Sequence, residues 1–295
     1  MASRSLKTLT LLLIVAAYFG SFSSAFAEQS HKYVTIAVLP CSNIEVTFKK
    51  FYPLITYLKN KTGIDVRLLV PANFEKFRGG LENGEIDFAI QDPHALFKLY
   101  DLFNHDEILR TLTMEGETTQ TGVVIVSKDS NIKKLSDLRG KTVMFGAESS
   151  TPKWVAAKIL FERNGINIDT DLKGYSHGGC CEDIAFSVYL KSVDAGVVCD
   201  HFLTEHAEKQ KDLGVKASQL MVISRTMPVP TRIFVARKGV GKDIIAVMYQ
   251  ALLSLDKRKP EEATILDRGE MGGFQRARVE DYLRMRALMH DGKTD

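Results

Sequence analysis

After residue 27 the chain contains no apolar run approaching the ~20 residues that cross a bilayer, so that remainder is expected to be free and soluble. An excess of one charge sign is also lacking: 39 Lys and Arg stand against 36 Asp and Glu, a formal net charge of +3. That balance, with no long block of like charge, argues against a nucleic-acid-binding groove. There is no low-complexity tract. Cysteine is scarce, with four residues at 41, 180, 181 and 199 and no C-x-x-C pair among them. This spacing does not support a zinc site or a c-type haem attachment, and no cofactor or metal is expected. None of the four directly follows the leading apolar stretch, which speaks against a lipid anchor.

What is present begins with Arg4 and Lys7, an apolar run over residues 9–19, and Ala25-Phe26-Ala27. A basic start, a short apolar stretch and an A-x-A site form the layout of a secretory signal, so residues 1–27 are expected to be cleaved off. The roughly 270 residues that follow exceed a typical single domain and predict two compact units.

Residues 34–39, 66–70 and 86–90 read as strands. Between them, Ile44, Phe48, Phe51, Ile55 and Leu58 recur at helical spacing up to Gly63, and Phe74, Phe77 and Leu81 mark a shorter helix stopped by Asn83-Gly84. The middle third repeats the alternation, with strands at 123–126, 142–145 and 193–198 and helices at 152–164 and 182–191. Alternating strands and helices predict an α/β fold with sheets flanked by helices. A local echo supports two similarly built units: Ile86-Asp87-Phe88-Ala89-Ile90 beside Val193-Asp194-Ala195-Gly196-Val197. Later come strands at 221–224 and 233–236 and helical stretches at 243–255 and 278–289. Pro228 and Pro230 predict an extended segment crossing back between units. The expected division is residues 28–121 as the first lobe, 122–228 as the second, and 229–295 returning to pack on the first, with a ligand cleft between lobes.

In open α/β sheets ligands bind beyond the carboxyl ends of the strands, so the residues following each strand are the ones to read for function. After 142–145 comes Gly146-Ala147-Glu148-Ser149-Ser150-Thr151-Pro152. Pro152 suits the first helical position and the hydroxyls before it can cap the helix. Amide N–H groups, hydroxyls and the positive end of the helix dipole there would hold an anion; the same residues would equally serve as a plain cap.

That stretch, preceded by Leu135-Ser136-Asp137-Leu138-Arg139-Gly140-Lys141, resembles the periplasmic phosphonate, phosphite and phosphate binding proteins of ABC importers. The resemblance extends over nearly the whole chain after the signal. It takes in Asn83-Gly84-Glu85-Ile86-Asp87, Val124-Ile125-Val126-Ser127-Lys128-Asp129-Ser130, Ser176-His177-Gly178, Pro228-Val229-Pro230 and Asp281-Tyr282. It implies a two-lobed type II periplasmic-binding fold, a small anionic solute as ligand, a monomer in the periplasm of a Gram-negative bacterium, and no enzymatic activity. The implied partner is an ABC permease or the periplasmic domain of a sensor kinase. Carried over by position, the family's ligand contacts fall on Ser150, Thr151, His177 and Asp200, and Ser149 beside them is a further candidate. Phe74 stands near a family aromatic hydroxyl, and Gln91-Asp92-Pro93-His94 replaces a more neutral sequence, which makes Phe74, Gln91 and Asp92 candidate lining residues.

Asp92 and Asp200 would repel an anion unless they meet a cationic part of the ligand or turn toward His94, His177 or His201. Cys41, Cys180, Cys181 and Cys199 each follow a predicted strand or open a helix, so all four are expected at the cleft end. In an exported protein they are expected as disulfides, with Cys180 or Cys181 joined to Cys199; the alternative is a soft-ligand site for a thiophilic metal or metalloid oxyanion, feeding a sensor kinase. A third reading is an enzyme with a cysteine nucleophile and His177 or His201 as base.

Overall fold

The computed structural model describes residues 33–40, 43–203 and 215–283. The expected signal, Cys41 and the last part of the expected 278–289 helix lie outside the described residues. In chain order the main elements are β1 (Val34–Val38), α1 (Ile44–Thr62), β2 (Val66–Leu69), α2 (Phe74–Glu82), β3 (Phe88–Gln91), α3 (Pro93–Lys98), β4 (Ile108–Leu112), β5 (Thr119–Gln120) and β6 (Gly122–Ser127). There follow β7 (Thr142–Phe145), α4 (Ala156–Arg163), β8 (Gly174–His177), α5 (Cys181–Tyr189), β9 (Ala195–Cys199) and β10 (Leu220–Arg225). The last are β11 (Val229–Pro230), β12 (Ile233–Ala236), α6 (Lys242–Leu253), α7 (Pro260–Arg268) and β13 (Gly273–Ala277).

Two mixed sheets carry the fold. The first has the order β13-β4-β12-β3-β1-β2 and the second β10-β6-β9-β7-β8. The chain leaves the first sheet through β5 and returns through β11, and these two short strands pair antiparallel, Val229 opposite Gln120 and Pro230 opposite Thr119. Pro230 therefore sits in a two-residue ribbon, where its missing N–H costs no central ladder bond, as the proline spacing predicts. Each sheet is covered on both faces. Phe51, Leu54, Leu58, Met248 and Leu252 pack on one face of the first, and Phe77, Leu81, Leu96 and Phe103 on the other. Phe161 and Ile166 cover one face of the second, and Ile184 and Val188 the opposite one.

The Ile86 to Ile90 and Val193 to Val197 echo has a structural basis. Asp87 precedes β3 and its carboxylate accepts the Thr35 amide of β1 at 2.9 Å; Asp194 precedes β9 and accepts the Thr142 amide of β7 at 2.8 Å. Both units thus tie a central strand to its neighbour with the same bond, satisfying an amide beyond the regular ladder.

Two helices differ from expectation. In α1 the buried residues are Thr47, Phe51, Leu54, Ile55 and Leu58, whereas Ile44 and Phe48 are 48% and 40% exposed. The first turn, capped by Asn43 accepting from the Val46 amide at 2.7 Å, overhangs the cleft instead of the sheet. The helix expected over 152–164 starts as a wide π turn, Thr151–Val155, in which the Val155 amide reaches back to the Ser150 carbonyl at 3.2 Å. The wider turn is held from outside: the Gly146 amide takes the Lys153 carbonyl at 3.2 Å.

Candidate functional site

A cavity of about 460 Å³ lies between the strand ends of the two sheets. The first sheet's side contributes Gln91 and Asp92 after β3, Arg232 before β12, Glu270, and Val46, Thr47, Lys50 and Phe51 from the overhanging turn of α1. The second contributes Ser149, Ser150 and Lys153 after β7, Gly179 to Asp183 at the start of α5, and Cys199 and His201 after β9. Most of these residues come from beside a strand end or a helix start, where backbone direction changes and side chains are free to converge.

Of the residues expected at the ligand, Gln91, Asp92, Ser149 and Ser150 line this cavity. Thr151, Phe74, His177 and Asp200 do not line it. Thr151 is fully buried; its hydroxyl accepts the His94 amide at 3.1 Å and its own amide donates to Asp92 Oδ2 at 3.1 Å. The amide expected to await an anion is therefore already engaged at this position. Phe74 packs against Phe77 in the first sheet's core, with Arg78 and Lys98 over its ring. His177 shares its Nδ1 with the Gly146 carbonyl at 2.8 Å and stands edge-on to Trp154 at 4.6 Å. Asp200 turns back on its neighbour, accepting the His201 amide at 3.0 Å.

Of the two aspartates expected at the ligand, Asp92 is the one that lines the cleft, along with Glu182, Asp183 and Glu270. Burial raises its pKa above the ordinary Asp range, against the opposing pull of Arg232, the Thr151 amide, Lys153 and the Ser150 hydroxyl. It turns toward these donors, and not toward a histidine.

Lys153 is the residue the sequence reading passed over. Its side chain is 5% exposed, lies along Gly146, and donates from Nζ to the Gly179 carbonyl at 2.9 Å. A buried ammonium is costly unless its donors are met, so its placement beside a cavity is unusual for a lysine. A Cβ on Gly146 would come within 2.5 Å of Lys153 Cβ, so glycine is what lets this stem lie flat. The available signal was position: Lys153 follows Ser150 by three residues, directly after the Gly146 to Pro152 stretch. Across the cavity, Arg232 donates to the Glu270 carbonyl at 3.3 Å, and Lys50 pairs with the Glu270 carboxylate.

Cys180, Cys181 and Cys199 are free thiols that all line the cavity. Cys181 and Cys199 are in contact: the Cys199 amide donates to Cys181 Sγ at 3.2 Å. The pairing with Cys199 lowers the Cys181 pKa, with help from Lys153, and raises that of Cys199. Burial, then Glu182, pushes Cys180 up. Among the described residues no group of three or more His, Cys, Asp and Glu is arranged to hold a metal ion, and no helix is long and apolar enough to cross a membrane.

Comparison with known proteins fits this geometry. The phosphonates-binding periplasmic protein of Escherichia coli K12 is 25% identical over 252 residues, covering 83% of this chain and 72% of that protein. A binding protein component of an ABC phosphonate transporter from Pseudomonas aeruginosa superposes with a TM-score of 0.75 at 19% identity, over 87% of this chain and 85% of that one. PhnD1 of Prochlorococcus marinus, in complex with methylphosphonate, gives 0.74 at 19% identity, over 88% and 98%. At these identities the structures show a shared fold, the two-lobed type II periplasmic-binding architecture. The sequence model of the ABC transporter, phosphonate, periplasmic substrate-binding proteins matches residues 36–282, and the chain belongs to that family.

Proposed function

We propose that the chain is a periplasmic binding protein that captures a small oxyanion of the phosphonate, phosphite or phosphate type and delivers it, as a monomer, to an ABC permease. One observation carries the reading. Ser149, Ser150 and Lys153 from the second sheet's side face Gln91, Asp92 and Arg232 from the first across one cavity. An oxyanion there would take hydroxyl and ammonium donors from one side and a guanidinium from the other. Contacts from both sides are what make a closed state ligand-dependent, because only a ligand touching both favours closure. Asp92 fits this role by using its carboxylate on the Thr151 amide, which reduces its repulsion of an anion.

Residues 1–27 would direct export and be removed. The oxidising compartment they lead to would permit a disulfide, and among the described cysteines Cys181 and Cys199 are the pair in contact. The function is binding without turnover.

The test is calorimetry and thermal shift with methylphosphonate, phosphite, phosphate and sulfate on the purified protein. At least one of the phosphorus oxyanions should raise the melting temperature, and Lys153→Met and Arg232→Gln should each weaken its binding by about tenfold or more, the cost of one charge-assisted contact. If no oxyanion shifts the melting temperature, or the two substitutions leave affinity unchanged, the reading fails.

A further inference from the structure

We propose that Cys181 is a redox modification site in the cleft wall: it exchanges with a small-molecule disulfide such as glutathione disulfide, Cys199 resolves the adduct, and the state of this pair sets the cleft's affinity for its anion. The affinity half rests on the oxyanion-binding reading; the chemistry of the pair does not.

The geometry selects Cys181 among the three described cysteines. It opens α5, so its sulfur sits at the positive end of a helix and faces the cavity. Cys199, at the end of β9, is 8% exposed and directs its amide at the Cys181 sulfur. Thiols in this setting ionise more readily, and the thiolate is the form that attacks a disulfide. Cys180 differs: burial and Glu182 keep it protonated, so adjacency in sequence does not make it an equivalent nucleophile.

The reaction balances. The Cys181 thiolate attacks one sulfur of glutathione disulfide and releases one glutathione thiolate, leaving Cys181 as a mixed disulfide. The Cys199 thiol attacks the Cys181 sulfur, its proton passing to the second glutathione as that leaves as a thiol. The protein pair is oxidised by two electrons, the glutathione disulfide is reduced to one thiolate and one thiol, and the S–S bond now joins α5 to β9.

The consequence for binding runs through Lys153. Only in the dithiol form can the Cys181 sulfur ionise, and Lys153 is among the groups that favour that ionisation. That charge competes with an incoming oxyanion for the same ammonium. In the disulfide neither sulfur can be charged, and the competitor is gone. The oxidised protein should therefore bind the anion more tightly.

The experiment equilibrates the purified protein in glutathione buffers from fully reducing to fully oxidising, maps disulfides by peptide mass spectrometry after alkylation, and titrates methylphosphonate and inorganic phosphate by calorimetry at both extremes. The expected result is a Cys181–Cys199 linkage, several-fold tighter binding when oxidised, and loss of that redox dependence in C199S, which should accumulate the glutathione adduct on Cys181. C181S should lose both adduct and dependence, and serves if C199S does not fold. A linkage through Cys180, or no linkage under oxidising conditions, overturns the site. A Cys181–Cys199 linkage with equal affinities overturns the control and leaves the oxyanion reading standing. Binding of neither probe in either state overturns both the control and that reading, with the disulfide map reporting on the cysteine chemistry separately.

Discussion

The Asp92 carboxylate, just past the end of β3, accepts the amide of Thr151 from the far side of the cleft at 3.1 Å. The neighbouring His94 amide donates to the Thr151 hydroxyl at 3.1 Å, so Thr151 is held by two residues of the opposite segment. The residue expected to greet a ligand instead joins the two sides beneath it.

This fixes the sign of one pH effect. Burial raises Asp92 above its ordinary value of 3.8. Between that value and the raised one, the folded chain keeps a proton that the unfolded chain has released, so the group's contribution to stability falls as pH rises through the window. Asp92→Asn keeps an acceptor for Thr151 and removes the charge. The variant should gain stability over the parent as pH rises above 3.8, followed by urea denaturation, and should bind methylphosphonate more tightly wherever the parent carboxylate is ionised. A parent that gains on the variant over that range would show that the charged carboxylate stabilises the fold.

His94 works in the opposite direction. Burial, with Lys98 adding to it, holds its pKa down to about 4 from 6.5, and Nδ1 is buried with no hydrogen-bond partner among the described residues. Between those values the unfolded chain binds a proton the folded chain refuses, so stability is lost as pH falls from 6.5 toward about 4. At about 1.4 kcal/mol per pH unit the full loss is roughly 3–4 kcal/mol. His94→Asn should flatten that acid limb by one proton, read from the slope of unfolding free energy against pH. An unchanged slope would mean that another group carries it.

The legibility of the fold followed the strength of local patterns. Buried runs such as Val123 to Val126 could be read because all their residues face a core, as they do in β6. By contrast β13, the edge strand of the first sheet, and its neighbour β4 carry Gln275, Arg276, Arg110 and Thr111, and these polar residues leave no clear apolar pattern. The Asp87 and Asp194 echo was too short to distinguish from chance as letters, and became meaningful only through the Thr35 and Thr142 amides they bind. At the site, Ser149 and Ser150 were legible as a cap motif. Lys153 and Arg232 were not, because lysine and arginine are normally solvated and their burial here comes from distant segments: Gly146 and Gly179 for the one, Glu270 for the other. His177 and Asp200 were carried over by resemblance, and their bonds to Gly146 and His201 depend on loop paths that no local pattern encodes.

The dependence of Lys153 on Gly146 can be tested directly. A methyl group at 146 would meet Lys153 Cβ at 2.5 Å and Cε at 2.9 Å, and the former is part of the stem's fixed end, so the side chain must shift as a whole. Gly146→Ala should therefore weaken methylphosphonate binding by about tenfold, equivalent to about 1.4 kcal/mol, through displacement of an ammonium that the substitution itself does not remove. Lys153→Met keeps most of the stem and removes the charge. If Gly146 acts through the ammonium, adding Gly146→Ala to Lys153→Met should cost little further affinity, because the two changes disable the same contact and cannot add. Fully additive losses in that cycle would mean that Gly146 shapes the cleft independently of Lys153, for instance through the carbonyl it offers to His177.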